Sequence, residues 1–142
     1  MRRYLVIANQ TLATHQLRQE LLLRAESGES LFHFLVPNTA DNDYSSEWAE
    51  HEGVIDAGTK GAKARLEFAL AAVRAAGACA LGALADPDPL TAVELQLQCS
   101  AYDEVIVSML PEPSSRWFKA DLPSRISRSV QIPVTMITAK AG

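Results

Sequence analysis

Five short runs rich in apolar residues punctuate the chain, and a longer, helix-period stretch follows each of the first four. The runs are Tyr4–Ala8 (YLVIA), Leu31–Val36 (LFHFLV), Ala78–Leu84 (ACALGAL), Glu104–Ser108 (EVIVS) and Pro133–Thr138 (PVTMIT). They are close to continuous rather than alternating, which marks strands covered on both faces, as in parallel sheets. Between them, Thr14–Glu26 carries Leu17 and Leu21 four apart and stops at Ser27-Gly28. Gly61–Gly77 carries Leu66, Leu70 and Val73. A third helical stretch opens at Asp88-Pro89 and carries Leu90, Val93 and Leu97. The fourth, Asp121–Val130, repeats Leu122, Ile126 and Val130. Each spacing gives one apolar stripe per helix. Thr14, Asp88 and Asp121 stand where N-caps belong, and Pro89 suits a first helical position.

Unbroken alternation of strand and helix predicts an α/β fold with right-handed crossovers. The expected architecture is an open, doubly wound, parallel five-stranded sheet with helices on both faces. A length of 142 residues fits one domain spanning residues 1–142. Two segments break the rhythm. Residues 38–60 hold Asp41, Asp43, Glu47, Glu50, Glu52 and Asp56, with no Lys or Arg before Lys60. They lack the order of an EF-hand loop, so they read as an acidic surface loop insertion anchored by Tyr44 and Trp48. The second irregular segment, Met109–Ala120, links the fourth strand to the last helix. Ligands of doubly wound sheets bind beyond the carboxyl ends of the strands, where strand order reverses. The loops of interest are therefore Ala8–Thr14, Val36–Asn38, Ala85–Pro89 and Ser108–Asp121.

Charge and composition narrow the function classes. Net charge is −4 and the pI about 5.3, with no basic block, which argues against nucleic acid or an anionic membrane as a partner. No apolar run reaches a membrane span, and the opening MRRYLVIANQ is too briefly apolar for a signal peptide. A cytoplasmic protein is expected. Cys79 and Cys99 lack metal-ligand spacing and read as small buried thiols. His15, His33 and His51 are scattered; His33, inside an apolar run, reads as a packed or hydrogen-bonded ring. Asp86 and Asp88 are accounted for by helix capping. There is no G-x-S-x-G, P-loop or G-x-G-x-x-G motif, so no catalytic constellation is present and no enzyme is expected.

The opening YLVIAN, the link ADPDPLTAVE, the strand YDEVIVS and the ending SRISRSVQIPVTMIT together resemble the universal stress protein family over nearly the whole length. The resemblance implies strand order 3-2-1-4-5, a stress-response role and a homodimer formed through the C-terminal strand. It also implies ATP binding in many members. Those members carry G-x-x-G, about nine residues, then G-[ST] after the fourth strand. The glycines let backbone N–H groups approach the phosphates, and the last pair opens a helix. Here no glycine stands between Gly82 and Gly142. Ser108 and Pro111 fall near the first two glycines, and Ala120 and Asp121 at the last pair. Pro111 has no N–H to offer. Asp121, if it caps the helix, puts a carboxylate where a phosphate would sit. Asn9 replaces an aspartate that approaches the nucleotide in many relatives. Against this, Arg116 and Lys119, with Ser114 and Ser115 beside them, can hold an anion without glycines.

Three readings follow from the resemblance. The first is a homodimeric binding or regulatory protein with a degenerate nucleotide site, no cofactor, and a small-molecule or protein partner. The second is an adenine-nucleotide (ATP or AMP, with Mg²⁺) binder using Asn9, Val36, Ser108, Ser114, Ser115, Arg116 and Lys119. The third is a weak nucleotide-hydrolysing enzyme.

Overall fold

The computed structural model describes residues 1–8, 11–12, 14–37, 59–85, 88–110 and 121–138, with residues 59–62 described in backbone only. Its elements are β1 (Arg2–Ile7), α1 (His15–Glu26), β2 (Ser30–Pro37), α2 (Thr59–Ala75) and β3 (Cys79–Ala85). They continue with α3 (Pro89–Cys99), β4 (Glu104–Met109), α4 (Leu122–Ser129) and β5 (Val134–Thr138). The five strands form one sheet in the order β3-β2-β1-β4-β5, and all four pairings are parallel. That is the doubly wound architecture expected from the alternation of elements. The acidic insertion lies outside the described residues except for Thr59 and Lys60, which open α2.

Successive side chains of a strand point to opposite faces, so the register sorts the core into two layers. Tyr4, Val6, Phe32, Phe34 and Ile106 face α1 and α2, meeting Leu17, Leu21, Leu66 and Val73. Leu5, Ile7, Leu35, Val105 and Val107 face α3 and α4, meeting Val93, Leu122 and Ile126. The central strands β1 and β4 are therefore buried on both sides, which is why their sequences run apolar without alternation. Gly82 sets the approach of α2 to the sheet. A Cβ there would lie 2.8 Å from Leu66 Cδ1 and 3.0 Å from the Phe34 carbonyl oxygen. Gly77, at φ +93°, closes α2 with two bonds, Ala78 N–H to Val73 O and Gly77 N–H to Arg74 O.

The edges differ from the centre. β3 and β5 each have one strand neighbour, and their faces on the α3–α4 side are open: Leu81 is 44% exposed and Met136 50%. This overturns the expectation for the cysteines. Cys79 begins an edge strand and Cys99 ends α3, and both thiols are exposed. His33 does hold a partner, the Tyr102 hydroxyl, as expected of a ring in a strand.

The three N-cap positions are occupied by the expected residues, but their side chains do other work. Thr14 donates to the Thr11 carbonyl (2.7 Å), and Asp88 accepts from the Thr91 hydroxyl (2.7 Å). Asp121 departs furthest. Its backbone is left-handed (φ 54°, ψ 45°), its carboxylate makes no cap bond, and it turns toward Arg128 at 3.7 Å. With no bond from its carboxylate to the first N–H groups, the expected side-chain cap on α4 is not formed.

Candidate functional site

Strand order reverses between β1 and β4, the two strands that leave toward helices on opposite faces. The crevice beyond their carboxyl ends is where a doubly wound sheet takes a ligand. Its floor is a row on the α1–α2 face. Leu84, Val36, Ala8, Ser108 and Ile137 follow one another across the sheet at its carboxyl end. Two residues expected at the site, Val36 and Ser108, are thus brought onto one row, and both are almost fully buried.

The turn from β1 into α1 is pinned to β4 above this row. Thr11 is buried, and its hydroxyl donates to the Ser108 carbonyl (3.2 Å). The two hydroxyl oxygens lie 2.6 Å apart, which leaves the Ser108 hydroxyl to donate to Thr11. The Thr11 carbonyl in turn accepts from the Thr14 N–H (3.0 Å) and hydroxyl (2.7 Å). Among the described residues, the buried Thr11 and Ser108 hydroxyls are thus both satisfied by neutral partners. Sequence reading passed over Thr11; its signal is a hydroxyl a few residues past a buried strand, at the reversal point.

The other side chains proposed from sequence, Asn9, Ser114, Ser115, Arg116 and Lys119, lie outside the described residues. α4 starts at Leu122 with Pro123 in its first turn and packs on the opposite face of the sheet from this row. Among the described residues no group of three His, Cys, Asp or Glu side chains could hold a metal ion. His15 sits exposed at the start of α1, and His33 lies mid-strand in β2 on the opposite face of the sheet.

No protein-family model matches the chain, and no curated protein matches it in sequence. Solved structures do match. A universal stress protein family protein from Arabidopsis thaliana with AMP bound has a TM-score of 0.66 over 99% of this chain and 94% of its own, at 12% identity. The universal stress protein from Archaeoglobus fulgidus in complex with dAMP has a TM-score of 0.59 at 12% identity, covering 96% and 98%. A universal stress protein in complex with cAMP has a TM-score of 0.58 at 16% identity, covering 98% of each chain.

The chain has the universal stress protein fold. Its strand order, 3-2-1-4-5, is the one that the resemblance implied. The universal stress protein likeness is one of backbone path, carried at identities where side-chain roles do not transfer on their own. No helix among the described residues is long and apolar enough to cross a membrane.

Proposed function

We propose that this chain is a non-catalytic regulatory protein of universal stress type whose carboxyl-end crevice takes an adenine mononucleotide in preference to Mg²⁺-ATP. The observation that carries the reading is the conformation of Asp121. With its carboxylate directed at Arg128 rather than at the first turn of α4, the N–H groups there keep their attraction for one phosphate. A longer phosphate chain needs a glycine cradle, and none exists between Gly82 and Gly142. The three structural neighbours carry AMP, dAMP and cAMP, each with a single phosphate. In this reading Val36 and Ser108 form the floor, Asn9 faces the nucleoside, and Ser114, Ser115, Arg116 and Lys119 hold the anion.

Calorimetric titration tests it. AMP should bind, and ATP with Mg²⁺ should bind no tighter. Ligand at one hundred times Kd should raise stability by about 2.7 kcal/mol. The absence of glycine favours a second reading, a site that has lost nucleotide altogether. No heat and no stabilisation with millimolar AMP, ADP or ATP would select it. Phosphate release from ATP over hours would contradict both and point to hydrolysis.

The same proposal includes a homodimer through β5. That strand is an edge, Met136 is half exposed on it, and a groove of about 440 Å³ runs between it and α1. Exposed apolar edges invite pairing. Light scattering should return twice the chain mass at micromolar concentration; a monomer would remove the dimer.

A further inference from the structure

A hydrogen-bonded chain runs beneath α3 at the amino end of the sheet, remote from the crevice. Gln96 Nε2 donates to the Tyr102 hydroxyl oxygen (2.8 Å), and that oxygen lies 2.7 Å from His33 Nδ1. The two rings are 6.0 Å apart and tilted by 50°. Since Gln96 brings an N–H to the phenol oxygen, the phenol proton is the one available to Nδ1. The arrangement suits the neutral His33 tautomer with its proton on Nε2, in which Nδ1 accepts the phenol proton.

The surroundings disfavour a second proton. Arg3, from β1, places its Cζ 5.4 Å from the Tyr102 ring centroid, and its Nε is buried without a partner. The Asp103 carboxylate, next to Tyr102, accepts the Arg3 backbone N–H (2.8 Å). Cys79 begins β3, beside β2, and Cys99 ends α3; both are thiols exposed to solvent. Burial, and then the Arg3 charge, lower the His33 pKa below 6.5.

We propose that His33, Tyr102 and Gln96 form a proton-operated latch, opened when His33 Nδ1 takes a proton from solvent. Once Nδ1 carries hydrogen it can no longer accept from Tyr102. The phenol oxygen then faces two donors, and its own proton loses its acceptor in a buried position. The conflict resolves if the ring leaves. There is room for it: Tyr102 lines a cavity of about 260 Å³ between the carboxyl ends of α3 and α4, with Leu97, Val130 and Ile132. Gln96 sits in the last turn of α3 and Tyr102 just before β4, so one departure frees the whole connection. The latched His33 has the lower pKa. The latch is fully held above pH 6.5 and weakens as pH falls through the latched value.

The full chain without ligand is the test material. Nitrogen–proton NMR of the His33 ring at neutral pH should show hydrogen on Nε2 and none on Nδ1. Amide protection across Gln96–Tyr102 should fall on acidification, by about tenfold for each unit separating the latched and open pKa values. Amides of β1 should keep their protection over the same range. Tyr102→Phe should raise the His33 pKa and leave Gln96–Tyr102 poorly protected at every pH; Gln96→Leu, a milder change, should weaken the same amides at neutral pH. Hydrogen on Nδ1 at neutral pH, or protection that ignores pH in the wild-type chain, would overturn the latch.

Discussion

The two ends of the sheet are held by different chemistry. At the carboxyl end, the described polar links between β1 and β4, where strand order reverses, are neutral: the Thr11 and Ser108 hydroxyls and backbone groups of the β1–α1 turn. At the amino end the links are charged or titratable. On the α1 face, Arg24 grips Glu104 with two bonds (3.1 and 2.9 Å), Glu20 bonds Arg24 (3.0 Å), and Thr135 donates to Glu104. On the other face stand His33, Tyr102, Arg3 and Asp103. The proposed proton latch thus belongs to one end of this fold and the proposed ligand crevice to the other. The crevice can keep its shape across a pH change that loosens the opposite rim.

The sharpest way to break this contrast is at Arg24. Its side chain and that of Glu104 are mostly buried and join α1 to β4 and, through Thr135, to β5. Removing one partner strands the other, so Arg24→Ala should cost about 2–4 kcal/mol in urea unfolding. Arg24→Lys keeps the charge but loses the planar fork, and should recover only part. Burial works to raise the Glu104 pKa, but the bonds from Arg24 and Thr135 and the Arg24 charge outweigh it. Its folded value lies below the ordinary 4.5, so the stability it contributes is present above that pH and is lost as pH falls through the folded value. Wild-type protein should lose this contribution as pH falls below 4.5; in Arg24→Ala the slope there should flatten. An unchanged slope would mean that the charged end does not govern acid stability.

The neutral end should respond more weakly, and without pH. Ser108→Ala leaves the Thr11 hydroxyl with the carbonyl alone and should cost about 1 kcal/mol. Thr11→Val leaves the Ser108 hydroxyl buried and unmatched, so it should cost somewhat more, about 1–2 kcal/mol. The double variant should lose less than the sum, because no orphan remains. These values should be the same at pH 5 and pH 8. Additive losses would show that the two hydroxyls are not coupled, and a pH-dependent loss would erase the distinction between the ends.

How much of this was readable from residues alone follows the same division. Strand and helix order came from apolar runs and stripes, because each element buries a continuous face: Leu17 with Leu21, Leu122 with Ile126. Contacts that join distant residues left no such trace. Thr11 and Ser108 are 97 positions apart, and Arg24 and Glu104 are 80 apart. No local spacing brings them to notice. Edge exposure was hidden for a related reason. Cys79 stands at the start of ACALGAL, which reads like a buried strand, and only strand order places it at a rim. Cap chemistry misled most at Asp121, where an aspartate before a helix suggests a side-chain cap and the backbone hand decides otherwise.

That backbone hand gives the smallest effect and the finest test. Left-handed geometry costs an ordinary L-residue roughly 1–2 kcal/mol, and less for aspartate, whose short side chain tolerates it. Glycine removes the strain but adds freedom to the unfolded chain. The Asp121–Arg128 pair is long and both side chains are largely exposed, so its loss matters little. Asp121→Gly should therefore stabilise the fold by about 0.5 kcal/mol, read as a higher urea midpoint with an unchanged slope. The same change deletes a negative charge one residue before α4. If that helix start receives the phosphate, AMP affinity should rise by about two- to fivefold, the equivalent of roughly 0.3–1 kcal/mol at a helix terminus. A stabilised protein whose AMP affinity stays fixed would separate the two effects: the strain at Asp121 would be real, and the phosphate would have to be held by side chains of the crevice rather than by the helix.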